Sequence, residues 1–246
     1  AALADNLQCE ELLGFATSAV RSATNSEEVL NPVEKKTGVK LQVLSGEDEA
    51  RLTFLAARRW YGWSAGKITN LDIGGGSLEM STGTDEVPDV AVSLDLGAGR
   101  LTHEWFDTDP PEKKTVNTLR DYIDAELAAV ADDFLDEGEA GLAVGTSKTL
   151  RTLARLTGSA PSSAGPYVKR TLTAPGLRQL IAFITRMTAS DRAELEGVSS
   201  DRSHQIVAGA LVAEAAMRAL NLDKLEICPW ALREGVILRQ IDKGQN

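Results

Sequence analysis

The stretch Leu71-Asp72-Ile73-Gly74-Gly75-Gly76-Ser77-Leu78-Glu79 concentrates residue types that can do chemistry. Three successive glycines free a turn from side chains, so backbone amides can point at a bound phosphate. Asp72, at the end of an apolar strand, is placed to hold a hydrated Mg²⁺. The pattern is neither a dinucleotide fingerprint nor a P-loop, because the glycines do not run into a helix and no Gly-Lys-Ser/Thr follows. A plain hairpin or bulge is the other reading, although hairpins seldom need three glycines beside an acid.

Water attack on a phosphoanhydride also requires a general base, a carboxylate close to the phosphate and held without an arginine clamp. Glu47-Asp48-Glu49 offers three acids at a helix start, a position that acids also occupy simply because the positive helix end favours them. Spacing does not choose among the three. Arg21, just after Thr17 and Ser18, and the turn Gly145-Thr146-Ser147-Lys148-Thr149 offer charge, hydroxyl and amide donors to an anion. Each has an ordinary alternative, a surface charge for the arginine and helix caps for Ser147 and Thr149. His103 and His204 stand far apart and are expected to be structural or surface residues, which leaves acid-base work to carboxylates.

These residues need elements to hold them. Residues 1–13 read as the end of an amphipathic helix carrying Leu3, Leu7, Leu12 and Leu13, followed by a strand at 14–17 and a second helix with a capping-box-like start at Asn25-x-x-Glu28. A strand at 39–44 leads into a helix over 46–63 capped by Ser45, with Glu49 in its first turn. Strands at 67–73 and 78–81 flank the glycine turn, and a further strand spans 90–96. Helices follow at 101–106 and 115–135. A buried strand at 142–144 enters a helix that ends at Gly158, and 159–171 reads as a loop. Helices at 174–188, 190–195 and 201–220, a strand at 224–228 and a last helix at 232–241 complete an alternating α/β pattern, best satisfied by two lobes around a cleft.

The chain of 246 residues with 43% hydrophobic content is long enough to bury a substantial core. A net charge of -10, from 36 acidic and 26 basic residues, argues against a surface that covers duplex DNA or an anionic membrane. No apolar run is long enough to span a bilayer. Cys9 and Cys228, in no metal or redox spacing, are expected to be buried reduced thiols, and with no signal segment in view this points to the cytoplasm. A homodimer is compatible with the sequence.

Four ordered motifs carry a resemblance. Ala16-Thr17-Ser18-Ala19-Val20-Arg21, Ser45-Gly46-Glu47-Asp48-Glu49-Ala50-Arg51-Leu52, Asp72 to Glu79 and Ala231-Leu232-Arg233-Glu234-Gly235-Val236 together resemble the exopolyphosphatase and guanosine pentaphosphate phosphatase family, especially its short actinobacterial exopolyphosphatases. The resemblance covers almost the whole chain. It implies a two-lobed ribonuclease-H-like α/β fold of the actin, sugar-kinase and heat-shock-chaperone superfamily, with Mg²⁺ and phosphate between the lobes. It gives Glu49 the catalytic carboxylate role, Asp72 the metal role, Gly74, Gly75, Gly76 and Ser77 a phosphate-binding role and Glu79 a supporting one. Thr17, Ser18 and Arg21 fall where the first lobe approaches the substrate, and Ser147 and Thr149 in the second phosphate turn. The implied reaction is Mg²⁺-dependent hydrolysis of the terminal phosphoanhydride of inorganic polyphosphate, with guanosine pentaphosphate as the alternative substrate and a non-catalytic sensor as the alternative role.

The sequence departs from the family in three places. It lacks the opening strand Asp-x-Gly-Ser-Asn-Ser, so an N-terminal truncation is expected, with an incomplete first lobe and feeble activity in this fragment alone. It has Lys148 between Ser147 and Thr149 where many relatives have Gly. It also stops soon after Gly235, without the additional helical domain of longer relatives. On this reading residues 1–43, with the C-terminal helix 232–246 packed near them, are a remnant of the first lobe, and 44–231 form the second.

Overall fold

The computed structural model describes residues 2–9, 11–136 and 141–244. The first part of the chain forms α1 (Ala2–Asn6), β1 (Gly14–Ala16), α2 (Ser18–Arg21), α3 (Ser26–Thr37) and β2 (Leu41–Val43). The strands β1 and β2 pair in parallel, Phe15 opposite Gln42. Gly38, at φ 70°, ends α3 in the left-handed conformation that glycine reaches without strain.

The larger body begins with α4 (Gly46–Tyr61) and continues through β3 (Ile68–Ile73), β4 (Leu78–Gly83), β5 (Val90–Leu94), α5 (Ala98–Trp105) and α6 (Lys113–Asp136). Then come β6 (Leu142–Gly145), α7 (Lys148–Leu156), β7 (Thr171–Thr173), α8 (Ala174–Ile184), α9 (Ala189–Ala193), α10 (Ile206–Ala219), β8 (Lys224–Ile227) and α11 (Leu232–Gly244). The six strands from β3 onward make one mixed sheet in the order β5-β4-β3-β6-β8-β7. Its centre, β3-β6-β8, is parallel, whereas β4, β5 and β7 join antiparallel.

Alternation along the strands divides the sheet's two faces. Leu71, Ile73, Leu78 and Met80 enter the main core with α5, α6, α7, α8 and the largely apolar α10, whose charged residues are Glu214 and Arg218. Ile68 and Val144 pack on the other face with Phe54 and Ala57 of α4. That second face is also where alternation puts Asn70 and Asp72 of β3, with Ser81 and Glu79 opposite them on β4. The helix α11 packs along α4, where a Cβ on Gly235 would overlap the Leu52 carbonyl oxygen and lie 2.7 Å from its carbon. Its Gln240 also donates to Glu11 at 2.8 Å.

Several expected boundaries move. The helix read over 1–13 is only α1, since Gln8 at φ 51° breaks the repeat and Leu3 and Leu7 stay exposed. Residues 18–21 form an extra short helix, and Asn25 precedes α3 without a side-chain cap bond. The helix expected to reach residue 63 stops at Gly62, at φ 71°, before a 3-10 turn at Trp63–Ala65. The loop expected over 159–171 ends in β7, too short to show a period although its Leu172 is fully buried. Cys9 is exposed, not buried; Cys228 is buried, as expected. No described helix is long and apolar enough to cross a membrane.

Candidate active site

The glycine turn joins β3 to β4 and is closed by the Gly74 amide donating to the Ser77 carbonyl at 2.9 Å. Its other carbonyls are tied down from one side. The amides of Ala98 and Arg100 donate to Gly74 and Gly75, at 3.0 and 2.9 Å, and Arg100 Nε donates to Gly76 at 3.0 Å. Among the described residues the amides of Gly75, Gly76 and Ser77 have no acceptor. With carbonyls engaged and amides free, the turn is a nest that an anion can fill. A Cβ on Gly75 would meet nothing within 4 Å, so this residue opens to space, whereas one on Gly76 would lie 2.6 Å from Ser18 Oγ. Behind the turn, a Cβ on Gly97 would sit 2.5 Å from Gly75 O, so only glycine lets this backbone approach.

Of the three acids at the start of α4, one turns inward. Ser45 caps the helix by accepting from the Asp48 amide at 3.0 Å and donates its hydroxyl to Asp48 Oδ2 at 2.8 Å. Glu47 pairs with Arg51 on the exposed side. Glu49 is 7% exposed, and burial raises its pKa. The Arg21 hydrogen bond and charge oppose that rise, Asp72 adds to it, and a bond from the Ser18 amide lowers it again. The ion pair with Arg21 corrects the expectation of a base held without an arginine clamp. Twenty-eight residues separate the partners, and they meet because α2 follows directly on β1. Arg21 also donates to the Leu44 carbonyl at 2.8 Å.

Asp72 and Glu79 are direct cross-strand partners. Asp72 Oδ2 accepts from Thr146 Oγ1 at 2.6 Å; burial raises its pKa, while the Thr146 bond and the Arg151 charge restrain the rise. Glu79 is 4% exposed and its pKa is pushed up to about 7, by burial first and then, against the Ser77 hydrogen bond, by the charges of Asp72 and Glu49. Ser93 Oγ donates to it at 2.9 Å. One step deeper, Asn70 and Ser81 face each other in register with buried side-chain N and O atoms that lack partners, so a polar layer continues beneath α4.

The structure thus gathers Glu49, Asp72, Glu79, the Gly74 to Ser77 turn, Ser18 and Arg21 into one cluster. Thr17 contributes its carbonyl, which accepts from the Val20 and Arg21 amides at 3.0 Å. In the second turn, Ser147 Oγ caps α7 by accepting from the Leu150 amide at 3.1 Å, and Thr149 is buried below Gly209 of α10. Lys148 reaches Ser199 at 3.1 Å. His103 and His204 are both exposed. Ser93, Gly97 and Arg100 escaped the sequence reading, and Thr146, read there as an anion donor, instead donates to Asp72. Thr146 follows β6 as Asp72 ends β3, and Gly97-Ala98-Gly99 after a strand was a glycine signal in its own right.

Asp72 raises the pKa of Glu49 and of Glu79, and Glu49 adds to the rise at Glu79, so the three acids make an oxygen-only, electronegative cluster of the donor type that a hard divalent cation prefers. Among the described residues no three His, Cys, Asp or Glu are grouped so that together they could hold a metal ion. An ion that keeps water and takes one or two carboxylates does not require such a grouping.

Sequence and structure comparisons place the chain among known proteins. The chain is 70% identical over 234 residues to Exopolyphosphatase 1 of Mycobacterium tuberculosis, covering 95% of this chain and 68% of that protein. Identity to the Mycobacterium leprae protein of the same name is 67%, covering 95% and 69%. The fold superposes on the Aquifex aeolicus Ppx/GppA family member with a TM-score of 0.81 at 26% identity, covering all of this chain and 78% of that one. An exopolyphosphatase from Cytophaga hutchinsonii gives a TM-score of 0.87 at 21% identity, covering 98% and 78%, a likeness of fold. The sequence profile of the Ppx/GppA phosphatase family matches residues 1–244, the carboxylate cluster and its glycine turn included, and the chain belongs to that family.

Proposed function

We propose that this protein hydrolyses the terminal phosphoanhydride of inorganic polyphosphate, releasing orthophosphate, with Mg²⁺ held by Asp72 and by Glu79 across from it. The observation that carries the reading is the meeting of a phosphate-ready turn, its amides free and its carbonyls tied from behind, with two buried carboxylates, Glu49 and Glu79, and the half-buried Asp72. The bound ion would supply Lewis-acid neutralisation of phosphoryl oxygens. The amides of Gly75, Gly76 and Ser77 hold the non-bridging oxygens of the phosphate under attack, where negative charge develops. Glu49 takes the proton from the attacking water.

Arg21 gives this base a resting partner. A phosphoryl group entering beside α2 carries more charge than one carboxylate and competes for the guanidinium. As Arg21 moves toward substrate, Glu49 loses the interaction that opposes its pKa rise, and its basicity increases when water must be deprotonated. Thr17 and Ser18 belong to the same substrate-facing segment. Ser147 and Thr149 shape the second turn, Ser147 as the cap that fixes the start of α7.

We place residues 1–43 in the first lobe and 44–231 in the second, the C-terminal helix joining them through Gln240 and Glu11. Phosphate release measured with the full-length protein on long-chain polyphosphate and on guanosine pentaphosphate tests the reading. Release from polyphosphate supports it. Release from the nucleotide alone transfers the chemistry to the other substrate, and binding of either without release makes the protein a sensor.

A further inference from the structure

Arg100 spans a seam between two parts of the site. Its amide donates to the Gly75 carbonyl at 2.9 Å and its Nε to the Gly76 carbonyl at 3.0 Å, so one residue grips consecutive peptide groups of the glycine turn. The far end of the same guanidinium donates to Ser22 Oγ at 3.0 Å, and Ser22 caps the C-terminal end of α2. The turn belongs to the larger body and α2 to the first part of the chain. The two abut, since a Cβ on Gly76 would lie 2.6 Å from Ser18 Oγ. A planar guanidinium suits this place because its donors are fixed relative to one another, so holding one partner sets the direction offered to the other.

The other contacts of Arg100 are with Asp95 at 3.2 Å and Glu104 at 3.9 Å, whose side chains are 70% and 50% exposed. Pairs so open to water orient the group more than they stabilise it. The helix α2 is only four residues long and has no side-chain bond at its N-cap, so it depends on neighbours for its place. The Arg21 guanidinium and the Ser18 amide both tie it to Glu49. Those ties change when Glu49 takes a proton and Arg21 turns to the substrate. The bond from Arg100 leads to the turn instead, and survives that change.

We propose that Arg100 is a positioning residue for the hydrolysis: it holds α2, and with it Arg21, in register with the free amides of the glycine turn while the ties to Glu49 are exchanged. The inference rests on the polyphosphate reading above and adds to it the residue that keeps both sides of the phosphate site together. Arg100 acts through the Gly75 and Gly76 carbonyls on one side and through Ser22 on the other.

Two variants of the full-length protein separate the halves of this bridge. Ser22→Ala, at an exposed position, deletes only the contact with α2, whereas Arg100→Gln deletes both side-chain contacts. On long-chain polyphosphate, Ser22→Ala should lower kcat about fivefold and Arg100→Gln about tenfold or more, because small misplacements of the reacting groups are costly. KM should change by less than about twofold in Ser22→Ala, and its Tm should hold. In the Arg100→Gln background, Ser22→Ala should have no further effect on kcat. Amide hydrogen exchange reads the bridge without turnover. Ser22→Ala should speed exchange of the Val20 to Ser22 amides and leave those of Ala98 and Arg100, which bond to the turn, protected; Arg100→Gln should speed both sets. A wild-type kcat in Ser22→Ala, or a Ser22→Ala effect that persists in full without Arg100, overturns the positioning role. A wild type inert on polyphosphate removes the polyphosphate reading instead, and unchanged exchange at Val20 to Ser22 in both variants then overturns the bridge by itself.

Discussion

Replacing Glu79 with Gln should stabilise the metal-free protein at alkaline pH while destroying its function. The Glu79 carboxyl titrates at about 7 in the fold against an ordinary 4.5. Between those values the folded state keeps a proton that the unfolded chain has released, so stability falls as pH rises through the window and levels off above it. The difference corresponds to about 3 kcal/mol. Glutamine keeps the shape and can still accept from Ser93, but it cannot ionise. Urea denaturation of wild type and Glu79→Gln in chelator, from pH 4.5 to pH 8.5, should therefore show similar stabilities at the acid end and a variant advantage of up to about 3 kcal/mol at the alkaline end. Saturating Mg²⁺ should shrink that advantage by compensating the wild-type charge. An advantage independent of pH, or none at pH 8.5, would refute the argument that burial and the neighbouring acids hold Glu79 protonated.

Glu49→Gln should lower phosphate release about 10²-fold or more with polyphosphate binding nearly intact, since the amide keeps the shape but takes no proton; activity kept here but lost in Glu47→Gln or Asp48→Asn would identify another base. Asp72→Asn should raise the Mg²⁺ concentration needed for half-maximal activity, read from a metal titration, and an unchanged requirement would remove Asp72 from the metal role. The two glycines beside the turn should behave oppositely. Gly75→Val, pointing into open space, should cut turnover with little change in Tm, while Gly97→Ala, pushed against the turn backbone, should lower Tm by an amount equivalent to about 1–3 kcal/mol.

Much of the scaffold was legible because it rests on local rules. The apolar-rich run over 67–73 marked a strand, Ser45 marked the start of α4, and three glycines marked the turn. Spacing left Glu47, Asp48 and Glu49 alike, whereas in the fold only Glu49 of the three is buried, a difference that depends on how α4 is rotated against β3, β4 and β5. The pairing of Arg21 with Glu49 and of Thr146 with Asp72 joins residues far apart in the chain, and no local pattern encodes such meetings. Strand β7 was invisible for another reason. Three residues are too few for a period, and its burial comes from pairing with β8.

Gly235 gives the C-terminal helix an unexpected mechanical standing. Its backbone rests directly on the carbonyl of Leu52, three residues past Glu49 on the same rigid α4. With no side chain between them to act as a cushion, a pull or twist applied to α11 passes to the helix that aims the carboxylate, as through a bolted joint. Reaction geometry sensitive to displacements of about 1 Å would register such a load as a change in rate. Any body that engages α11, whether covalently continuous with it or docked on it, would thus have a handle on the chemistry without coming near the cleft.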